Sequence, residues 1–129
     1  LAVNIAERTS GLVDAPEFPI PHALDQMAEL TRAMVRRSLD ALVELDAAAA
    51  RGVCASDDEV DDLNRQVIDE LIELMQADPS ATPAGLHCFS AARHLERIAD
   101  HATNISEDVI YLVEGEISRH QAAAAGRRT

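Results

Sequence analysis

Acidic side chains recur at a spacing of four in two segments of this chain, and carboxylates so placed can act as oxygen ligands for a metal ion. One pair lies in the first segment. On a helix of about 100° per residue, three acids of the second segment fall within roughly 40° of one another, with an asparagine beside them. The candidate metal ligands are Asp57, Asp61, Glu96, Asp100, Asn104 and Glu107.

Ligation by oxygen alone suits hard cations such as Mg²⁺, Mn²⁺, Ca²⁺ or ferric iron, and zinc fits if a water or a histidine completes its shell. Like charges at this spacing destabilise a helix by about 0.2 to 0.5 kcal/mol per pair, and a bound cation would offset that cost. The other interpretation is a solvated acidic face, partly paired with Arg93 and Arg97. The spacing alone leaves both interpretations open.

Other chemistry has less support in the sequence. His87, His94 and His101 follow one another at intervals of seven and could reach a metal or a haem, but this spacing is more typical of histidines at a core edge. No Glu-x-x-His pair is present, as a carboxylate-bridged metal oxidase would require. There is also no Gly-x-Ser-x-Gly elbow and no glycine-rich phosphate loop. We therefore expect a protein that is not an enzyme, with an oxidase-like bundle or a structural helical spacer as the alternatives.

Three segments of helical period must position these side chains. Apolar residues recur at spacings of three and four in residues 22–45, 47–77 and 83–117, and Asp46 can cap the second segment. The predicted core residues are Leu24, Met27, Leu30, Met34, Val35, Leu39, Leu42, Val43, Val53, Val60, Leu63, Val67, Leu71, Leu74, Ala91, Leu95, Ile98, Ala102, Ile105, Val109 and Leu112. Long helices with short connections predict an all-α fold, an antiparallel up-down-up three-helix bundle of the spectrin-like kind.

Composition agrees with one helical domain and excludes several partners. The 129 residues are 47% hydrophobic but include no Trp, one Tyr and two Phe, so aliphatic side chains must fill the core. A net charge of −12 disfavours nucleic acid and anionic lipid as ligands. No run of about 18 apolar residues could span a bilayer, so we expect no membrane insertion and a cytoplasmic location. Cys54 and Cys88 are expected to be reduced, buried small hydrophobes.

A short internal repeat gives the domain organisation. Residues 2–7 read AVNIAE and residues 102–107 read ATNISE, an offset of 100. Residues 1–14 are therefore expected to be the tail of the last helix of a preceding repeat, with an apolar stripe free to pack on the bundle or on a second chain. Residues 15–21 form a proline-rich connection, 22–120 the bundle, and 121–129 a frayed tail.

The longest motif resembles the PhoU family. Residues 92–105 read ARHLERIADHATNI, which resembles the family's third-helix motif, and residues 109–116 resemble the end of that helix. Residues 57–61, DDEVD, resemble the family's acidic second-helix motif. Ala99 stands where the family commonly has Gly, and Ser106 where it commonly has Ala. The similarity covers nearly all of residues 22–120.

The resemblance implies two tandem three-helix bundles, of which this chain holds the C-terminal repeat. It implies a regulator of phosphate uptake and phosphate-starvation signalling that connects the ATPase subunit of a phosphate transporter to a sensor histidine kinase. A homodimer is a further possibility, which follows from the apolar stripe of residues 1–14 and not from the resemblance. It also implies metal binding through E/DxxxD motifs, whose matching positions are Asp57, Asp61, Glu96 and Asp100. The ion, among iron, zinc, manganese and magnesium, stays open.

Overall fold

The computed structural model describes residues 1–15 and 17–126, and every regular element in that part of the chain is helical. The elements are α1 (Ala2–Leu12), α2 (His22–Glu44), α3 (Ala47–Ala55), α4 (Asp57–Ala77), a 3₁₀ turn (Pro79–Ala81) and α5 (Thr82–Gly126). The all-α prediction is confirmed.

The connection between α2 and α3 is only two residues long and reverses the chain. Leu45 adopts a left-handed backbone conformation with φ of 51°, which ends α2, and its amide donates to the Ala41 carbonyl. The Asp46 carboxylate then accepts a hydrogen bond of 3.0 Å from the amide of Ala49 and caps α3. The left-handed conformation costs a non-glycine residue about 1 to 2 kcal/mol of free energy. The packing of α2 and α3, on either side of the turn, must therefore stabilise it.

The predicted second helix, residues 47–77, is two helices. The break falls at Ser56, whose hydroxyl donates to the Gly52 carbonyl at 3.1 Å. Such a bond to the preceding turn bends a helix. Three acids then occupy the first turn of α4, where the helix dipole favours negative charge. This pattern is typical of the start of a new helix.

The core lies between α2, α4 and α5, which pack against one another as an antiparallel bundle with α3 covering α2 and α5 at one end. It is aliphatic, as the composition predicts. Of the predicted core positions, these are buried: Leu24, Met27, Met34, Val53, Val60, Leu63, Val67, Leu71, Ala91, Leu95, Ala102 and Val109. Four predicted positions, Leu39, Leu42, Val43 and Leu112, are instead exposed, because no described element covers that side of α2 and α5.

The N-terminal segment is helical and packs on α5 of its own chain. Ile5 and Leu12 are half-buried against the main core, while Val13 lies beyond the end of α1 and is exposed. The apolar stripe expected here therefore has a partner within the chain. The described part of the following connection contains no helix, and Pro16 lies outside the described residues.

At Gly11, α1 approaches the His87 side chain of α5 closely. A Cβ atom there would lie 2.5 Å from Nε2 of His87 and 2.6 Å from its Cε1, closer than nonbonded atoms approach. We expect Gly11→Val to lower the melting temperature by several degrees, because the added side chain must displace the imidazole or lift α1 from α5. Adding His87→Ala should restore most of the loss, and thermal melts of the two single variants and the double variant measure this coupling. Purely additive effects would contradict the proposed contact.

The C-terminal end of α5 differs from the frayed tail predicted for residues 121–129. Residues 121–126 continue the helix and are exposed, and residues 127–129 lie outside the described part of the chain. Four consecutive alanines, Ala122 to Ala125, have the highest intrinsic helix propensity, which favours continuation of a helix already formed.

Candidate functional site

Carboxylates of α4 and α5 face one another across the line where the two helices pack. Burial raises the pKa of Asp57, and Asp61 and then Asp100 raise it further by repulsion. Burial likewise raises the pKa of Glu96, with additional repulsion from Asp100, Asp61 and Asp57. Asp58 and then Glu107 also repel Asp57. Asp58 is exposed on α4. We give the name acidic groove to the five carboxylates of Asp57, Asp61, Glu96, Asp100 and Glu107, which lie between the two helices.

The acidic groove follows from spacing on each helix and from the pairing of the helices. On α4 its two acids are four residues apart, and on α5 Glu96, Asp100 and Glu107 share one face. Asn104, the remaining predicted ligand, is exposed on α5 and forms no hydrogen bond with any described residue. The structure thus brings the five predicted acids together and leaves Asn104 at the margin.

The acidic groove is not a preformed coordination shell. Among the described residues, no three His, Cys, Asp or Glu side chains stand close enough to hold one ion. Because no three of its carboxylates converge on one position, side-chain rotation must accompany any shared ligand. Such rotation is available to Asp100 and Glu107, which are exposed.

Asn64 is a polar residue of the acidic groove that the sequence analysis did not select. Its Nδ2 donates to Oε2 of Glu96 at 2.7 Å, across the α4–α5 contact. Its Oδ1 is buried and has no hydrogen-bond partner in the described structure. An amide oxygen is a hard ligand, so this unpartnered atom fits a cation beside the carboxylates. Asn64 lies three residues after Asp61, on the same helix face, and this spacing is the signal that could have identified it.

Cys54 and Thr103 border the acidic groove on the α3 side. The Cys54 Sγ lies 4.0 Å from the Thr103 carbonyl oxygen. Burial, and after it the negative charges of Glu107 and Asp57, raises the pKa of this thiol, so it stays protonated at neutral pH. Both cysteines are free, as expected; Cys88 is fully buried and Cys54 half-buried.

Little positive charge compensates the acidic groove. Arg93 lowers the pKa of Glu96, but its influence is smaller than that of burial and the three neighbouring acids. Among described residues, the arginine ion pairs join Arg32 to Glu29, Arg51 to Glu114, Arg65 to Asp62 and Arg119 to Glu116. None of these pairs includes a carboxylate of the acidic groove, and Arg97 forms no ion pair with any described residue.

The raised pKa values give a pH dependence of stability. The folded chain binds protons at Asp57 and Glu96 more readily than the unfolded chain, so the charged forms of these groups destabilise the fold at neutral pH. This destabilisation is lost as the pH falls toward the ordinary pKa values of the two groups, 3.8 for Asp57 and 4.5 for Glu96. We expect the double variant Asp57→Asn with Glu96→Gln to gain roughly 0.5 to 1 kcal/mol at pH 7, from two relieved like-charge pairs within helices. Melting curves from pH 7.5 to about 4 should show this advantage shrinking with acidity. A constant advantage would contradict the assignment.

The three histidines at intervals of seven have different surroundings. His87 packs on Gly11, His94 is half-buried with its Nδ1 unpartnered among described groups, and His101 is exposed. They do not form a cluster with the carboxylates in the described structure. The interpretation of these residues as core-edge histidines fits His87 and His94.

Fold and site together define a class: an all-helical bundle whose most distinctive polar feature is an uncompensated acidic groove between two packed helices. Comparison with known proteins gives the family. Residues 24–109 match the PhoU domain, and the chain belongs to the PhoU family.

Named relatives and a solved structure agree with this assignment. The chain is 40% identical over 124 residues to the phosphate-specific transport system accessory protein PhoU homologue of Pseudomonas putida, covering 92% of this chain and 47% of the relative. The homologue of Caulobacter vibrioides is 35% identical over 117 residues, covering 90% and 51%. The crystal structure of PhoU from Pseudomonas aeruginosa superimposes with a TM-score of 0.79 at 36% identity, covering 87% of this chain and 54% of that one. The chain spans about half the length of these relatives.

In the part of the chain that the structure describes, no helix combines the length and apolar character needed to cross a bilayer.

Proposed function

We propose that this protein is a regulatory accessory component of a phosphate-specific transport system and acts by binding partners, without catalysis. The observation that carries this proposal is the family match through residues 24–109, together with relatives whose names place them in phosphate-specific transport. Because the chain spans about half of those relatives, the function of the complete proteins is part of the proposal.

The proposed partners are the ATPase subunit of the transporter and a sensor histidine kinase, both reached in the cytoplasm. A rigid helical bundle supports such a role because its surface is preorganised, and a partner need not order it on binding. Exposed apolar residues at one end of the bundle, among them Leu39, Val43 and Tyr111, are suited to contact a partner protein.

A metal ion in the acidic groove is the second part of the proposal. Asp57, Asp61, Glu96 and Asp100 would hold it, with Glu107 at the edge and the free Oδ1 of Asn64 as an additional ligand. Iron, zinc, manganese and magnesium all accept such oxygen donors. When bound, the ion supplies positive charge that offsets the repulsion between carboxylates. The chain's own residues then hold α4 against α5 in one arrangement, which fixes the surface offered to partners.

Binding measurements with purified proteins test the proposal. The 129-residue chain, the transporter ATPase subunit and the cytoplasmic part of the kinase, all from the same organism, would be mixed in pairs and followed by calorimetry. We expect a saturable complex with at least one of the two. Binding to neither would contradict the adaptor role and favour the structural spacer, whereas oxygen consumption by the iron-loaded chain would favour the oxidase-like alternative. The possible homodimer is tested by the mass of the chain in solution.

A further inference from the structure

A second groove lies on the bundle between α2 and α5, away from the acidic groove. Its floor is apolar and is formed by Ala28 and Val35 of α2 and by Leu95 and Ile98 of α5. The groove is shallow and open to solvent, with a volume of about 370 Å³. We call it the α2–α5 groove.

Positive charge borders this apolar floor. Arg32 and Arg36, one turn apart on α2, line the α2–α5 groove. Arg32 pairs only with Glu29 on its own helix, an ion pair whose side chains are 79% and 71% exposed and therefore contribute little. Arg36 is exposed and makes no hydrogen bond or ion pair with any described residue. The whole chain carries a net charge of −12. Two exposed arginines beside an apolar groove therefore form a local region of positive charge on an acidic protein.

Thr31 also lines the groove but is not a contact point for a partner. It is 2% exposed, and its Oγ1 is buried without a hydrogen-bond partner among described groups, so a bound molecule does not reach it. The polar groups available to a partner are the two arginines, and a carboxylate is the group that arginine binds best, through paired hydrogen bonds.

We infer that the α2–α5 groove binds an amphipathic helix from a partner protein, whose apolar stripe covers the floor and whose acidic side chains reach Arg32 and Arg36. Helices that dock in grooves present apolar residues at i, i+3, i+4 and i+7, and a cleft between two packed helices has the matching shape. Charge selects the partner, because most of this chain's surface repels acidic segments and this groove attracts them. The inference involves neither the acidic groove nor a metal, and it does not rest on the proposed function.

A designed peptide probes the groove directly. An amphipathic peptide of about 20 residues, with Leu along one face and Glu flanking it, would be labelled and titrated with the full 129-residue chain by fluorescence anisotropy. Two comparison peptides isolate the recognition elements: one has Gln in place of every Glu, and one has the same composition in scrambled order. We expect the acidic amphipathic peptide to bind at least about tenfold more tightly than either, with an affinity that falls as salt is added.

Matched variants locate the binding on the protein. Arg32→Gln with Arg36→Gln should weaken binding of the acidic peptide by about tenfold or more, since both guanidinium groups are lost. Arg93→Gln with Arg97→Gln is the control, because it removes the same charge at the same spacing from exposed positions of α5 outside the groove. Circular dichroism confirms that each variant is folded.

Four results would overturn the inference. Equal binding of the Gln peptide would show that the groove does not select acidic partners, and equal binding of the scrambled peptide would exclude a docked helix. Equal losses from both arginine pairs would place the interaction elsewhere. Binding of anionic phospholipid vesicles through Arg32 and Arg36, without binding of the peptide, would assign the surface to a membrane and also contradict the inference.

Discussion

Adding a divalent or ferric cation is expected to raise the melting temperature of this protein by about 10 °C, and chelator is expected to reverse the shift. A ligand that binds only the folded chain at about 100 times its dissociation constant contributes about 2.7 kcal/mol. For a chain of this size, each kcal/mol moves the melting temperature by roughly 4 °C. The expected gain comes from the acidic groove, where an ion would replace repulsion by attraction. Differential scanning calorimetry with each candidate metal, before and after chelator, measures it.

Two pairs of substitutions identify the metal ligands. Asp57→Asn with Asp100→Asn keeps the side-chain shapes and removes one carboxylate from each helix, so the metal-dependent shift should disappear. Asp58→Asn with Asp62→Asn removes the same charge from exposed positions of α4 and should leave most of the shift. If both pairs respond weakly and alike, with a response that fades in moderate salt, the acids form only a solvated face. Superimposable melting curves with and without chelator would rule out metal binding.

Met34→Ala is expected to destabilise the protein by about 3 kcal/mol and to lower its melting temperature by roughly 12 °C. Met34 is 0% exposed and lies in the main core cluster, so truncation removes buried methylene and sulfur contacts and leaves a cavity. Leu39→Ala is the matched control on the same helix. Leu39 also follows the apolar periodicity of α2 but is 47% exposed, and its truncation should cost less than about 1 kcal/mol. Urea unfolding of both variants measures the difference.

Comparable losses for the two variants would mean that another surface covers Leu39 in solution. A concentration dependence of the Leu39→Ala result would then identify that surface as a second copy of the chain. The pair of variants therefore tests the boundary of the core as well as its packing.

The difference between Met34 and Leu39 also shows what periodicity can predict. A spacing of three and four identifies the apolar face of a helix, and this was sufficient to predict the three long helical segments and the all-α fold. Periodicity does not state which side of a broad apolar face another helix covers. Near the end of α2 the buried positions are Ser38 and Ala41. Leu39, Leu42 and Val43 lie beside them on the uncovered side, so they were predicted as core and are exposed.

The break at Ser56 was missed for a related reason. Residues 47–55 include four alanines in sequence, no proline and a single glycine, so helix propensity gave little reason to stop before α4. The bond from the Ser56 hydroxyl to the Gly52 carbonyl is local, but a serine in a helix often makes such a bond without ending it. Only the acids at the start of α4 distinguish this serine, and among them Asp57 was interpreted as a metal ligand and not as part of a helix start.

The acidic groove was partly predictable. Spacing placed the acids of each helix on one face, but it could not establish that those two faces meet. The hydrogen bond of 2.7 Å from Asn64 of α4 to Glu96 of α5 shows that they do. Asn64 was not among the predicted ligands, although it follows Asp61 by three residues on the same face of α4. Whether the acidic groove holds a metal depends on side-chain rotation and hydration, which spacing does not specify.

The length of α5 has a consequence for amide hydrogen exchange. This helix has 45 residues, about 67 Å at 1.5 Å per residue, and its backbone is helical throughout. Buried positions occur from Ala84 to Val109, whereas residues 116–126 are all exposed. Amides in the first part are protected by the packing of the whole bundle and exchange when the bundle unfolds globally. Amides in the last part have only intrahelical bonds to protect them and exchange by opening from the end. One uninterrupted helix therefore contains two groups of amides that exchange by different mechanisms. Its hydrogen-bonded length extends beyond the part that unfolds together with the bundle.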